Sequence, residues 1–168
     1  MRVAVTGTPG TGKTTASKLV ETELEVIGLN DLVRSEGLTT GTDEKRDSLV
    51  ADIDAVAARL SDRDDILIES HLAHHLEADR VVVLRCLPTK LKERLLDRGD
   101  AERKAEENAE AEALDVILSE AVDRHGLDTV YEIDTTDRSA EAVAEEIEAV
   151  VDGERSPSAG TVYFTDYL

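Results

Sequence analysis

The chain has 168 residues, with 38 acidic against 19 basic side chains, a net charge of −19 and only 2% aromatics. That length fits one domain with a substantial core, and apolar periodicity along most of it excludes a disordered acidic polymer. The bulk charge argues against direct nucleic-acid binding, no apolar run is long enough to span a membrane, and nothing at the start resembles a signal peptide, so a cytoplasmic protein is expected.

In chain order, residues 2–5 form a short apolar run that can be a buried strand, and residues 14–25 read as a helix. Between them, GTPGTGKTT at 7–15 has the P-loop spacing: Gly7, four residues, then Gly12, Lys13 and Thr14. The glycines let successive backbone N–H groups and the positive end of a helix face phosphate oxygens. Lys13 can reach the β and γ phosphates, and the Thr14 hydroxyl is placed to hold Mg²⁺. Binding of a nucleoside triphosphate is therefore expected.

Further strands are predicted at 24–27, 65–68, 80–84 and 129–133, and helices at 43–60, 89–98, 101–124 and 139–151. Alternating strands and helices indicate a mostly parallel five-stranded sheet covered on both faces. Ligands in such sheets sit at the carboxyl ends of the strands, which places the segments after Val5, Ile68 and Leu84 on one rim. The segment 30–59 is longer than a simple crossover and can form a flap beside the phosphate site. The polar stretch RGDAERKAEE at 98–107 can form a short lid, and the Ala-Glu bias of 101–113 reads as a solvated helix face. The lone Cys86 excludes an internal disulfide and reads as a small buried residue.

After Val151 the character changes. Residues 152–168, DGERSPSAGTVYFTDYL, are rich in Gly, Ser and Pro and hold three of the four aromatics. Two readings stand open: a disordered extension, or an aromatic anchor that docks on its own domain, on a second subunit or on a partner. The acidic excess over a folded core suits concentrated salt, where screening removes self-repulsion, so a halophilic source is expected.

Four pieces together resemble the nucleoside monophosphate kinases, and more narrowly the adenylate kinase isoenzyme 6 family of archaea and eukaryotes. They are TGTPGTGKTT at 6–15, NDLVR at 30–34, ESH at 69–71 and LKERLLDRG at 91–99. The resemblance covers residues 2–151. It implies an α/β P-loop nucleoside monophosphate kinase fold in one domain, 1–151, with an NMP-binding flap at about 30–59, a short lid at about 98–107 and a tail at 152–168. It places Gly10, Gly12, Lys13, Thr14 and Thr15 on the triphosphate of ATP, Arg34 on the phosphate of the acceptor AMP, Arg98 near the triphosphate and Arg94 on the adenine. Glu69 and His71 match a Walker B-like Asp-x-His; Glu69 would join Thr14 at Mg²⁺, although it is one methylene longer than the family's Asp, and His71 would orient a water or a phosphate oxygen.

The histidines of HLAHH, residues 71–75, also raise a metal-site reading; with no cysteine or further histidine nearby to close a shell, His74 and His75 are expected to be exposed or locally hydrogen-bonded. The activity implied by the resemblance is reversible phosphoryl transfer from ATP to AMP. A second implication is an ATPase that assists late maturation of the small ribosomal subunit by binding one of its proteins. A kinase of similar fold acting on shikimate or a sugar acid is a third reading, which NDLVR and the Arg94/Arg98 pair disfavour.

Overall fold

The computed structural model describes residues 1–43 and 48–168. Its main sheet is fully parallel and contains β1 (Arg2–Thr6), β2 (Glu25–Gly28), β5 (Ile66–Glu69), β6 (Arg80–Arg85) and β7 (Val130–Asp134), in the order β2-β5-β1-β6-β7. The runs VAV, ILI and VVVL are continuously apolar because both faces of these strands are covered. Alternation then divides the core. Val3, Val5, Leu67, Val82, Leu84 and Ile133 pack beneath α1 (Lys13–Leu19) and α7 (Ala140–Val151). Ala4, Ile66, Ile68, Val81 and Val83 pack on the opposite face against α2 (Leu29–Glu36), α3 (Ile53–Leu60) and α6 (Val116–His125). Cys86, Leu91, Leu95 and Ala105 form a third, smaller core where α4 (Pro88–Asp97) meets α5 (Glu102–Ala113).

Three helix boundaries differ from expectation. The helix predicted from residue 43 starts only at Ile53, because the Asp52 carboxylate caps it by accepting from Ala55 N at 3.0 Å. Before it, β3 (Thr39–Asp43) and β4 (Ser48–Ala51) pair antiparallel. The intervening part of that expected helix, 44–47, lies outside the described residues. The first helix ends at Leu19 rather than Glu25, as Val20 leaves the helical region. The helix predicted over 101–124 is two helices, broken where Asp115 adopts a left-handed φ of 54°. A short polar side chain tolerates that conformation, and the Asp115 carboxylate is drawn to the Arg85 guanidinium.

Two further corrections concern the polar segment. The irregular part of 98–107 is confined to 98–101, since α5 begins at Glu102. Residues 101–113 are not simply a solvated face: Ala105, Ala109, Glu112 and Ala113 are buried, the alanines because their small side chains let α5 lie close against its neighbours.

The tail docks on its own domain. β7 is an edge strand, and the tail covers it: Ser158 N donates to Val130 O at 3.0 Å and Glu132 N donates to Ser158 Oγ at 3.0 Å. Thr161 N, Thr161 Oγ1 and Val162 N all donate to Glu132 Oε2, at 2.7, 3.1 and 3.1 Å. The Phe164 ring lies 5.4 Å from the Arg85 guanidinium, and Tyr167 donates to Glu106 at 2.8 Å. Among the described residues no helix is long and apolar enough to cross a membrane.

Candidate active site

The phosphate loop leaves β1 at the centre of the sheet and enters α1. At Gly7 the chain takes a φ of 149° and runs so close to β6 that a Cβ would lie 2.6 Å from Leu84 O. Gly12 takes a φ of 89° at the start of α1, with no side chain capping that helix. Lys13 folds back over the loop, donating to Thr8 O at 3.0 Å and to Thr11 Oγ1 at 3.4 Å. Burial lowers its pKa from 10.5 to about 8, against the pull of the Glu69 and Glu112 carboxylates, which raise it.

Thr14 and Glu69 meet: Thr14 Oγ1 donates to Glu69 Oε1 at 3.0 Å. The longer side chain of Glu69 therefore still reaches the P-loop hydroxyl. Asp31 Oδ2 and Glu69 Oε1 both border Gly28, where a Cβ would lie 3.4 and 3.5 Å from them. Hydroxyl and carboxylate oxygens fit Mg²⁺, which takes oxygen ligands and keeps several waters.

His71 follows β5 and is half-buried; burial first, then the charge of Lys13, lowers its pKa to about 4, so its ring is neutral at pH 7. Arg94 donates from Nη1 to Gly10 O at 3.4 Å and from Nη2 to Thr135 O at 3.2 Å. With Gly10, Thr15, Thr135, Arg138 and Val143 it lines a cleft of about 180 Å³ beside the loop. Arg98 closes the last turn of α4 and pairs with Asp100 at 2.8 Å; its charge is felt at Lys13. Arg34 is exposed in the last turn of α2. The structure thus brings Gly10, Gly12, Lys13, Thr14, Thr15, Glu69, His71 and Arg94 to one rim, and Arg98 lies near enough for its charge to act on Lys13, while Arg34 makes no contact with any of them among the described residues.

Several contributors escape the sequence reading. Thr135 and Arg138 follow β7, and extending the strand-end rule to the fifth strand finds them. Glu112 and Arg85 lie behind the loop. Arg85 is fully buried and meets Glu112, Asp115 and Glu132, while Glu112 also accepts from Thr8 of the loop. No sequence signal distinguishes Glu112 from its solvated neighbours. His74 is likewise buried rather than exposed, and its side-chain partners are distant in sequence rather than local: it contacts Thr6 Oγ1 at 2.8 Å and Glu120 at 2.8 Å. Cys86 is buried, and burial pushes its thiol pKa up.

A parallel sheet of this order, with the phosphate loop on its central strand, defines the P-loop kinase fold. Solved structures of that fold align over almost the whole chain. A shikimate kinase from Acinetobacter baumannii in complex with shikimate superposes with a TM-score of 0.63 at 18% identity, covering 92% of this chain and 94% of that one. A gluconokinase from Sinorhizobium meliloti 1021 gives 0.57 at 16% identity, covering 91% and 92%. At such identities the likeness shows the fold alone.

The profile of a family described as AAA domain matches residues 3–115. A protein of Natronomonas pharaonis named "Putative adenylate kinase" is 70% identical over the full length of both chains. One of the same name from Halobacterium salinarum is 62% identical, also over both full lengths, and one from Methanosarcina acetivorans is 46% identical over 90% of this chain and 87% of its own. The chain belongs to the AAA-domain family and to the group of archaeal proteins that carry this adenylate kinase name.

Proposed function

We propose that the protein is a Mg²⁺-dependent nucleoside monophosphate kinase that transfers the terminal phosphoryl group of ATP to AMP and runs equally in reverse. The observation that carries it is the Thr14–Glu69 contact of 3.0 Å on the same rim as Lys13. The name shared by the archaeal relatives supports AMP as acceptor.

The transition state of phosphoryl transfer is loose, so alignment, charge neutralisation and exclusion of water supply the catalysis, and no protein nucleophile is required. The loop amides and Lys13 hold the triphosphate, with Gly10, Gly12 and Thr15 shaping its seat. Thr14 and Glu69 would hold the Mg²⁺, which would supply positive charge to neutralise that developing on the transferring group. Arg94 and the cleft by Thr135 and Arg138 receive the adenine. Arg34, in a flap spanning about 30–59, orients the acceptor phosphate. Arg98, at the start of a short lid, leaves Asp100 for the transferring group as the site closes.

A second reading, ATP hydrolysis, is favoured by His71. Its ring is neutral and close enough to Lys13 to feel its charge, so it can orient a water when no acceptor is bound. On this reading the protein is an assembly factor of the isoenzyme 6 kind, acting in the cytoplasm in late maturation of the small ribosomal subunit, and its acidic surface suits a basic ribosomal protein.

The test is to incubate the protein with ATP and Mg²⁺ in concentrated KCl, with and without AMP, and to follow ADP and free phosphate together. ADP that forms only with AMP and without phosphate establishes the kinase. Phosphate release indifferent to AMP refutes it in favour of the ATPase.

A further inference from the structure

Behind the phosphate rim, a single helical turn after β5 presents two consecutive histidines to α6. His74 and His75 lie with ring centroids 4.2 Å apart and planes tilted by 37°. Both Nε2 atoms face the same carboxylate oxygen, Glu120 Oε2, at 2.8 Å from His74 and 3.8 Å from His75. One donor atom from each of the three residues lies within 4.8 Å of the others. The arrangement is held from both sides: His74 Nδ1 contacts Thr6 Oγ1 at 2.8 Å, and His125 Nε2 contacts His74 O at 2.7 Å.

We propose that His74, His75 and Glu120 form a binding site for a borderline divalent cation such as Zn²⁺, separate from the Mg²⁺ site at Thr14 and Glu69. A simple ion pair between Glu120 and one histidine explains only the first contact. It gives no reason for a second imidazole to turn its Nε2 to the same oxygen. A tetrahedral cation with bonds of about 2.0–2.1 Å separates its ligands by about 3.4 Å, and the two separations of 2.8 and 3.8 Å bracket that value. Two nitrogens and one carboxylate select a borderline cation over Mg²⁺, which prefers oxygen.

The outer contacts also suit a metal site. A proton on His74 Nδ1, donated to the Thr6 hydroxyl, leaves Nε2 as the ligand atom, the role that outer-shell partners play for metal-bound imidazoles. His75 is 37% exposed and Glu120 47% exposed, so solvent can fill the fourth position and a cation can reach the site. An ion there ties α6 to the end of β1, one residue before the first glycine of the phosphate loop. The carboxylate comes from 45 positions beyond His75, which is why HLAHH by itself offers no closed shell.

The experiment uses the full chain, stripped with chelator and dialysed against limiting Zn²⁺ in KCl with excess Mg²⁺ to occupy the phosphate site. Bound zinc is counted per chain, and Co²⁺ substitution reports the ligand field through its visible absorption. About one equivalent of zinc is expected in the wild type. His75→Ala and Glu120→Gln, both at partly exposed positions, should retain the far-ultraviolet dichroism of the wild type. Each should weaken binding by at least the roughly tenfold to hundredfold that loss of an outer partner produces. Zinc should also raise the melting temperature of the wild type but not of either variant. Absence of bound zinc overturns the proposal. So does binding that survives both substitutions, or binding lost only on His71→Ala, which would move the ion to the phosphate rim.

Discussion

Replacing Glu132 by Gln asks whether the tail is held by a buried charge or by shape alone. Glu132 uses both oxygens: Oε1 accepts from Arg85 Nη1 at 2.6 Å, and Oε2 accepts from Thr161 N, Thr161 Oγ1 and Val162 N. Glutamine has nearly the same shape but only one oxygen. With that oxygen toward Arg85, its amide N–H groups meet the N–H groups of Thr161 and Val162. With the amide flipped, they meet the guanidinium.

Either orientation sets donors against donors and removes the charge that balances part of Arg85. Breaking one partner of a buried ion pair costs about 3–5 kcal/mol. Arg85 keeps Glu112 and Asp115, so the lower end applies, about 3 kcal/mol. For a domain of this size each kcal/mol moves the melting temperature by about 2–4 °C, which gives a fall of about 6–12 °C. Thermal melts in concentrated KCl measure it, since salt screens buried pairs little. Limited trypsin digestion supplies a second readout, because Arg155 lies where the tail meets β7 and donates to Glu132 O at 2.6 Å. A variant that melts within about 1 °C of the wild type and is cut at Arg155 no faster would refute the reasoning.

The Lys13 pKa of about 8 makes ATP binding pH-dependent. The free protein loses the Lys13 proton above that pH while bound phosphate restores it, so affinity should be flat below pH 8 and weaken by up to about tenfold per unit above it. Calorimetry in two buffers of different ionisation enthalpy should register proton uptake at pH 9 and none at pH 7. Without ligand the sign reverses: the unfolded lysine keeps its proton to about 10.5, so raising the pH from 8 toward that value should add stability. Glu112→Gln removes a carboxylate that raises the Lys13 pKa and should move the break in ATP affinity to lower pH; an unmoved break would separate Glu112 from the site. Arg34→Ala should lower AMP-dependent transfer by roughly a hundredfold while sparing basal hydrolysis, and equal loss of both would displace Arg34 from the acceptor. With 38 acidic against 19 basic residues, the melting temperature should rise with KCl up to molar concentration, where the screening length falls to about 3 Å; a melting temperature independent of salt contradicts this.

Sequence patterning identified all five parallel strands because each holds a short stretch rich in β-branched or other apolar residues, interrupted by a glutamate only in the runs 24–27 and 129–133. The phosphate loop was equally legible, since the tight approach at Gly7 and the left-handed turn at Gly12 require residues without a Cβ. What stayed hidden depends on contacts distant in sequence. The break at Asp115 has no helix-breaking glycine or proline to announce it; it arises because Arg85, 30 positions earlier, draws in its carboxylate. Buried Glu112 looks like its exposed neighbours for the same reason. The tail left two readings open because its anchors, Glu132 and Arg85, are interior charges whose burial no local pattern reveals.

The polar core behind the loop carries an excess of carboxylates: Glu112, Asp115 and Glu132 surround the single guanidinium of Arg85. Taken alone, a buried excess of negative charge opposes folding. Two features answer it. The tail brings the Thr161 and Val162 amides and the Thr161 hydroxyl to the free oxygen of Glu132, replacing water with fixed dipoles. On the other side, Glu112 lies close enough to Lys13 to hold its pKa up against burial, so the same excess helps keep the ammonium of the loop charged. Residues far apart in the chain, from β6, α5, β7 and the tail, therefore act on one electrostatic setting. The charge that the phosphate loop needs and the anchor that covers the open edge of the sheet draw on the same buried carboxylates.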